Sequence, residues 1–366
     1  MLTADGCRGR VRRLLAALTP DTPILLADPI HLRYFANAHA DPFHLGADFG
    51  GFLKIAPDGR TTLYHDHRAP KTFDAAFADE RVAVKWYDGK TPGQGPRRLI
   101  LRDVVELAGT GGRIHDSLTD PDAVRFHTAV AGMRRRKDAD EVALLKECMR
   151  VTNAGHAWAL AAAKPGMTEL DVYAGIAAEC TRAAGFPVVV YGDFAVSDGP
   201  ARRGGMATDR ELKAGDLLVL DFSVVIQGYR SDFTNTLCVG GRPTAEQQKL
   251  FDRCVTAMAA GELALKAGTP CQAVYDAVRG VFDAKGLGKA FPHHAGHGLG
   301  VSHPEPPYFV ERSEGELVAG DVVTLEPGLY IDGVGGVRIE HNYLITDAGF
   351  ERLSGHRIAL TPEDDS

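Results

Sequence analysis

The chain has 366 residues, which is more than one hydrophobic core usually organises, so two domains are expected. Its 45% hydrophobic and 24% charged residues are ordinary for a globular protein, and no apolar run reaches membrane-spanning length. The formal charge of −7 argues against a surface that binds nucleic acid or an anionic membrane.

The first segment, MLTADGCRGRVRRLLAALTP, contains one short apolar run, LLAAL, which is too short for the core of a secretion signal. We interpret the segment as an amphipathic first helix. The six cysteines, at positions 7, 148, 180, 238, 254 and 271, form no CxxC pair. This pattern is typical of reduced, buried cysteines and favours a cytoplasmic protein.

Residues 1 to about 115 alternate helix-like segments with short apolar runs, which predicts an α/β domain. No motif in this part indicates chemistry. A polar helix-like stretch is expected at 97–109. Strands are expected at 24–28, 52–56, 61–65 and 82–87.

The segment 117–140 is expected to connect the two domains, and its basic cluster at 134–137 is interpreted as the solvated start of a helix. Asp138, followed three residues later by Glu141, has the spacing of a capping box and predicts a long helix from 139 to about 163. We place the domain boundary so that the domains comprise 1–125 and 126–366.

The second domain repeats itself, and this is the most informative feature of the sequence. The segment 164–173, KPGMTELDVY, is echoed by 266–275, KAGTPCQAVY, and 215–221, GDLLVLD, is echoed by 320–326, GDVVTLE. The two blocks start 51 residues apart in the first copy and 54 apart in the second. This agreement predicts two similar halves related by a pseudo-twofold axis, with the acids that end the second block at equivalent strand positions.

Each half supplies two carboxylates. Apolar runs flank Gly228, which predicts a hairpin with its turn at this glycine. Asp221 and Asp232 would then lie on its two paired strands and face the same cleft. In the second half Glu326 ends a strand, and VGGVRIEHNYLIT is expected to return as one strand. Its alternation places Glu340 on the cleft face.

Four carboxylates in one cleft would raise each other's pKa unless a cation lies among them. With one histidine from HHAGHGLGVSHPEPP, 293–307, they form a ligand set for two divalent ions, with Mn²⁺ favoured and Co²⁺ or Zn²⁺ as alternatives. That set suits metal-assisted hydrolysis of an amide. A scattered surface position is the simpler explanation for one acid, but not for two pairs at matched repeat positions.

These residues resemble the pita-bread metallopeptidases, the family of methionine aminopeptidase, aminopeptidase P and prolidase. The matching motifs, DFSVVIQGYRSDFTNT, GHGLG, TLEPGLY and GGVRIE, come in the family's order and cover most of residues 137–350. The resemblance implies an α/β amino-terminal domain and an α+β pita-bread catalytic domain with an internal pseudo-twofold repeat. It also implies five metal ligands: Asp221, Asp232, His297, Glu326 and Glu340. Glu326 would in addition handle the proton of the attacking water.

The resemblance separates the neighbouring histidines. His297 matches the metal ligand, and His293 matches a histidine that contacts the substrate or the tetrahedral intermediate. His294 matches no family role and is interpreted as structural or exposed. Relatives carry a further catalytic histidine seven residues after the ligand, whereas His303 comes after six. Either the loop is one residue shorter and His303 still reaches the scissile amide, which we favour, or the proline-rich turn displaces it.

Two arginines are candidate substrate-binding residues. Relatives have a cleft histidine about eighteen residues before the first aspartate ligand, and this position is Arg203 here. Arg203 either holds the free carboxylate of a short peptide or belongs, with Arg202, to a solvated loop. Arg338 matches the arginine of GGVRIE, and it either supports the acidic cluster or contacts the substrate.

The stretch 26–37, LADPIHLRYFAN, resembles the start of the amino-terminal domain of prolidase, aminopeptidase P and creatinase. This favours cleavage before proline, implies a homodimer, and makes 40–51 either a lid or an ordinary surface loop. The expected substrate is a small peptide with proline in the second position, most simply an Xaa-Pro dipeptide.

Aminopeptidase P activity on longer Xaa-Pro peptides is the nearest alternative. A catalytically silent binding protein of the same fold is disfavoured, as is a metal-free hydrolase of the creatinase kind. Relatives of these kinds lack metal ligands, whereas all five are present here. The departures at Arg203 and His303 keep the silent protein as an alternative.

Overall fold

The structure is a computed structural model, and it describes residues 1–39, 50–69, 71–85, 89–90 and 108–363. The chain divides into two compact units, one of Met1–Arg134 with Asp138–Glu141 and the other of Arg135–Lys137 with Val142–Ser366. No helix in the described part is long and apolar enough to cross a membrane. All six cysteines are free and buried, as predicted.

The first unit is an α/β unit, and its first helix is confirmed as α1, Ala4–Leu18, which buries Val11 and Leu14. Helix α2, Pro29–Ala36, follows the first strand. Four strands form one sheet in chain order, with only the last pair parallel. These strands are β1, Ile24–Leu26, β2, Gly51–Ile55, β3, Thr61–Asp66, and β4, Glu80–Val84.

The four strands therefore confirm the apolar runs in the sequence, with ends that differ by at most three residues. The helix expected at 97–109 lies outside the described residues except for its last two positions. The stretch 40–51, the candidate lid, also lies outside them except for its last two residues. The lid interpretation thus stays a prediction.

The segment 117–140, expected to connect the domains, contains a helix, α3, Ala123–Arg135, which buries Phe126 and Val130. The chain passes between the two units at 134–142. The basic cluster at 134–137 ends this helix and does not start one. The cluster is also not solvated throughout, since the Lys137 ammonium lies buried 2.7 Å from the Glu305 carboxylate.

The long helix expected from 139 is confirmed as α4, Ala139–Ala162. The backbone N–H of Asp138 donates to the Glu141 carboxylate at 3.0 Å, as a capping box requires. The boundary expected between residues 125 and 126 falls inside α3, and the domain bounds 1–125 and 126–366 stay a prediction.

The first half of the second unit continues with helix α5, Glu169–Ala184, and an antiparallel sheet. The strands are β5, Val189–Val196, β6, Leu217–Ile226, β7, Tyr229–Arg230, and β8, Phe233–Cys238. Strand β6 pairs with all three others. The predicted hairpin around Gly228 is confirmed by the pairing of β6 with β7 and β8.

The second half has the same order, with two helices followed by a sheet. Its helices are α6, Ala245–Glu262, and α7, Cys271–Asp283. Five antiparallel strands form its main sheet: β9, Gly296–Gly298, β10, Glu305–Phe309, β11, Val322–Leu325, β14, His341–Ile345, and β15, Phe350–Arg352. A separate hairpin consists of β12, Gly328–Ile331, and β13, Gly335–Arg338.

Matching turns confirm the repeat. Gly215 and Gly320 open the second block of each copy with φ of +89° and +97°. In both copies the following aspartate accepts a backbone hydrogen bond of 2.8 Å from the residue three positions before it. In the first block, Gly166 and Gly268 both have φ of +86°. Glycine tolerates this left-handed conformation, so the repeated glycines fix equivalent turns in the two halves.

Candidate active site

Asp221 lies in the middle of strand β6, opposite Asp193 on β5 and Thr234 on β8. Strand β6 is a nearly continuous apolar run, LLVLDFSVVI, so the surrounding backbone is fixed by packing on both sides. Asp232 was expected on the paired strand, but it lies in the break between β7 and β8, where its N–H donates to the Asn342 side chain at 3.1 Å.

His297 lies in the short strand β9 and is held by its glycine neighbours. A Cβ on Gly296 would come within 2.2 Å of the Thr324 carbonyl, and one on Gly298 within 2.3 Å of the Pro306 carbonyl. Glycine on both sides of His297 therefore lets neighbouring backbone approach closely. The ring Nδ1 is hydrogen-bonded to the Gly298 carbonyl at 2.9 Å, so Nε2 is the nitrogen that faces the acids and would bind a cation after losing its proton.

The two glutamates of the second half lie just outside its strands. Glu326 follows β11 directly, so the expected strand equivalence with Asp221 holds only approximately. The segment expected as one strand is two strands of different sheets, β13 and β14, and Glu340 lies in the break between them. The Thr234 hydroxyl donates to Glu340 Oε2 at 2.7 Å.

The four carboxylates and His297 lie close together. Their distances and hydrogen bonds show whether they fit divalent cations. Ligand oxygens of Asp221, Asp232 and Glu340 lie within 4.8 Å of one another. Glu340 Oε1 is buried and has no hydrogen-bond partner among the residues that the structure describes. An uncompensated buried carboxylate oxygen is costly, and a cation would satisfy it. The donor set therefore fits two divalent ions.

The pKa shifts of the acidic side chains agree with this. Burial raises the pKa of Asp221 to about 6, with a further contribution from the neighbouring acids. Burial and the Asp232 charge raise the pKa of Glu340 well above its usual range. Burial would also raise the pKa of Asp232, but hydrogen bonds from His297 and His303 hold it well below its ordinary value. Positive charge is therefore needed before all four acids ionise.

The other histidines line the same cavity. His303 Nε2 lies 2.6 Å from Asp232 Oδ2, so the shifted spacing still brings this residue into the site. His293 also lines the cavity, but its Nδ1 is hydrogen-bonded to the His294 carbonyl and its Nε2 lies 3.3 Å from the Tyr330 hydroxyl. Burial lowers the pKa of His293 to about 4.

His294, interpreted as structural or exposed, has a side chain that is 39% exposed, and it also makes a contact that the interpretation did not include. Its Nε2 lies 3.0 Å from Glu326 Oε1, and its ring lines the cavity. Asp193 was also missed. Its carboxylate lines the cavity and lies 2.6 Å from the Arg338 guanidinium. The second histidine of the HH pair was the only sequence signal for His294, and Asp193 had none.

The cavity has a volume of about 690 Å³, which suits a small molecule. Every residue predicted for the site lines it except Glu340, which is buried within ligand distance of two acids of the cluster. Arg338 supports that cluster, with its guanidinium 2.6 Å from Asp221 Oδ2. Arg203 lies on the cavity wall, 5.9 Å above the centre of the Tyr330 ring.

Comparison with known proteins gives a family match and several similar chains. The model of metallopeptidase family M24 matches residues 143–347. The peptidase YqhT of Bacillus subtilis is 33% identical over 70% of this chain and 72% of its own length. A peptidase of Staphylococcus saprophyticus is 37% identical over 46% of this chain, and the match spans 47% of that relative.

Solved structures match over nearly the whole chain. An Xaa-Pro dipeptidase from Bacillus anthracis aligns with a TM-score of 0.78 at 25% identity, over 97% of this chain and 99% of that one. An X-Pro aminopeptidase from Thermotoga maritima also gives 0.78, at 21% identity over 97% of this chain and 99% of that one, and this likeness shows the fold alone. The chain therefore belongs to metallopeptidase family M24 and is a metallo-exopeptidase with the pita-bread fold.

Proposed function

We propose that this enzyme hydrolyses the peptide bond before proline in Xaa-Pro dipeptides and depends on two divalent cations. The observation that carries the proposal is the cavity itself. It places a carboxylate and histidine cluster beside Arg203, a cationic side chain without a carboxylate partner among the described residues. The solved dipeptidase of Bacillus anthracis acts on Xaa-Pro, and that chain is similar over 97% of this one.

The residues that would hold the cations are those of the acidic cluster with one imidazole: Asp221, Asp232, His297, Glu326 and Glu340. Bound there, divalent cations lower the pKa of water and polarise the scissile carbonyl. The oxygen-rich set with one nitrogen favours Mn²⁺, with Co²⁺ or Zn²⁺ as alternatives.

The protein's own groups supply the proton transfers and the contacts with the peptide. Glu326 faces the cavity and is oriented by the Thr324 hydroxyl, which donates to Oε1 at 3.2 Å. We assign proton handling to Glu326 and contact with the scissile amide to His303, whose ring is oriented by Asp232. His293 keeps its proposed contact with the developing oxyanion from the cavity wall.

Three arginines line the cavity, and two of them are already paired. Arg202 forms two hydrogen bonds of 2.8 Å with the Glu169 carboxylate. Arg338 pairs with Asp193 and Asp221. Arg203 is left to bind an anion, and a dipeptide of the Xaa-Pro type carries a free carboxylate one residue beyond the scissile bond. A charge-assisted pair there would favour dipeptides over longer peptides.

Aminopeptidase P activity is the alternative. The likeness to the Thermotoga maritima structure is as close in fold, but it does not bear on substrate length. The silent binding protein is opposed by the geometry, because all five proposed ligands lie together. A homodimer and a cytoplasmic location stay predictions. Light scattering after size-exclusion chromatography checks the first.

The test uses metal-stripped protein with and without added Mn²⁺ and three substrates of the same Xaa-Pro sequence: the dipeptide, the dipeptide amide and an Xaa-Pro-Xaa tripeptide. We expect metal-dependent cleavage with the dipeptide preferred. Arg203→Met should raise KM for the dipeptide by about tenfold or more, the size of a hydrogen bond to a charged group.

The amide provides the matched control, since it lacks the carboxylate that Arg203 would bind. Arg203→Met should therefore leave KM for the amide nearly unchanged. A preference for the tripeptide would mean aminopeptidase P activity. Cleavage of none of the three substrates, with metal bound, would contradict the proposed function.

A further inference from the structure

The second residue of the His293-His294 pair reaches the acidic cluster, and the first does not. His294 Nε2 lies 3.0 Å from Glu326 Oε1, and the two rings His294 and His297 have centres 5.3 Å apart. His293, one residue earlier, packs edge-on against Phe291 and Tyr330. The adjacent histidines thus have different environments, and only His294 has a nitrogen beside a proposed metal ligand.

The three groups on this side of the cavity form a compact donor set. One ring nitrogen from each of His294 and His297 and a carboxylate oxygen of Glu326 lie within 4.8 Å of one another. His297 Nε2 is 3.6 Å from Glu326 Oε1. Two imidazoles and one glutamate are a donor combination found at protein Zn²⁺ sites.

The side chain of His294 is also free to adopt the tautomer that a ligand needs. It is 39% exposed, so water can accept a hydrogen bond from Nδ1 while Nε2 keeps its lone pair. The backbone beneath it is fixed, because the N–H of the next residue, Ala295, donates to the Phe309 carbonyl of β10 at 2.9 Å. Little rearrangement is then required for binding.

We propose that His294 is a sixth protein ligand, so that His294, His297 and Glu326 hold one of the two cations through two nitrogens and an oxygen. The inference rests on the proposed two-cation function and adds a ligand to it. It also makes the two sites unequal. The site that His294 serves is richer in nitrogen and favours borderline ions such as Zn²⁺ or Co²⁺ over Mg²⁺.

The test measures metal binding and does not depend on activity. Metal-stripped protein is titrated with Co²⁺ while visible absorption is recorded, and Zn²⁺ affinity is measured by competition with a chelator. The variants are His294→Ala and, as the matched neighbour, His293→Ala. Far-ultraviolet circular dichroism and thermal unfolding check that each variant folds.

We expect wild type to bind two Co²⁺ ions. In His294→Ala, one site should lose affinity by at least about tenfold, the lower end of what even an outer-shell partner costs, and its absorption band should change. His293→Ala should leave both unchanged. Unaltered affinity and spectrum in His294→Ala would overturn the proposal. So would a loss of affinity without a spectral change, because His294 would then only orient Glu326. Wild type that binds no metal would overturn the proposed function as well.

Discussion

The two halves of the catalytic unit have the same order of helices and turns but contribute different side chains to the site. Both start with a pair of helices, and both enter their main strand through a glycine with positive φ followed by an aspartate that accepts a backbone hydrogen bond. The first half contributes Asp221 and Asp232, and the second contributes His297, Glu326 and Glu340. The repeat thus builds the scaffold, and its unlike segments provide the chemistry.

One pair of matched positions shows how the difference arises. Helices α5 and α7 begin with Glu169 and Cys271, both of them buried. The Cys271 thiol lies in the apolar core, whereas the Glu169 carboxylate accepts hydrogen bonds from Arg202 and Thr208. A single acidic residue in one copy therefore anchors the loop that carries Arg203 into the cavity.

The largest expected effect comes from the residue that links the halves. Asp232 belongs to the first half but lies 3.4 Å and 2.6 Å from the Nε2 atoms of His297 and His303. Asp232→Asn should lower kcat/KM by more than the roughly 100-fold that losing an outer-shell partner can cost. Steady-state kinetics with Mn²⁺ measure this, with the fully exposed Asp5→Asn as the control. Full activity in Asp232→Asn would refute the metal hypothesis.

The second prediction uses the matched pair Glu169 and Cys271. Glu169→Gln removes one partner of a largely buried ion pair, so the free energy of unfolding should fall by about 3 kcal/mol. KM for the dipeptide should also rise, because the loop that presents Arg203 loosens. Cys271→Ala should reduce stability slightly and leave KM unchanged. Equal KM values in both variants would show that Glu169 does not position the arginine.

The third prediction concerns the place where the halves meet. The ring of His156 in α4 packs against that of His356, which follows β15, with the ring centres 4.7 Å apart. Burial lowers the pKa of His156 well below its usual value and that of His356 to about 3. The unfolded chain takes up these protons as the pH falls through about 6.5, and the folded chain does not. The free energy of unfolding should therefore decrease as the pH is lowered below 6.5.

Each of these two histidines should lower the free energy of unfolding by about 2 kcal/mol when the pH falls from 6.5 to 5. Urea unfolding at the two pH values measures the loss. His156→Phe keeps a ring between Phe222 and Phe233 but cannot be protonated, so its loss should be smaller by about 2 kcal/mol. Equal losses in wild type and variant would contradict the prediction.

The smallest effects compare the repeated glycines. Gly166→Ala and Gly268→Ala should each lower the free energy of unfolding by about 1–2 kcal/mol, because alanine is strained at positive φ. The two losses should be equal, since both glycines have the same φ and open space around a Cβ. Gly320→Ala should cost more than Gly215→Ala, since only at Gly320 would the Cβ meet a neighbour, the Arg136 Cα at 3.0 Å. Urea unfolding measures the loss in the four variants. A larger loss in Gly215→Ala than in Gly320→Ala would contradict this prediction.

Sequence reasoning located the two halves and grouped the acids because fixed offsets between repeats are visible without a structure. It could not locate the chain breaks that hold Asp232 and Glu340, since alternation gives the face of a residue and not the point where a strand changes sheet. The buried pair of Lys137 and Glu305 was hidden because its members lie 168 positions apart.

The histidine pair illustrates the same limit at shorter range. His293 and His294 are adjacent and chemically identical, and the family pattern pointed to His293. The structure brings His294 to the Glu326 carboxylate because the ring of His293 is held by Phe291 and Tyr330. The contacts of His293 come from Phe291 and Tyr330, which both lie outside the segment 293–307, so the spacing of the histidines does not reveal which of the two contacts the cluster.

Anomalous diffraction from crystals of the Mn²⁺-loaded protein tests the central claim most directly. We expect two anomalous peaks in the cavity, with ligands from both halves: Asp221, Asp232, His297, Glu326 and Glu340. A single peak, or two peaks with ligands from only one half, would contradict the account in which each half contributes to one two-cation centre.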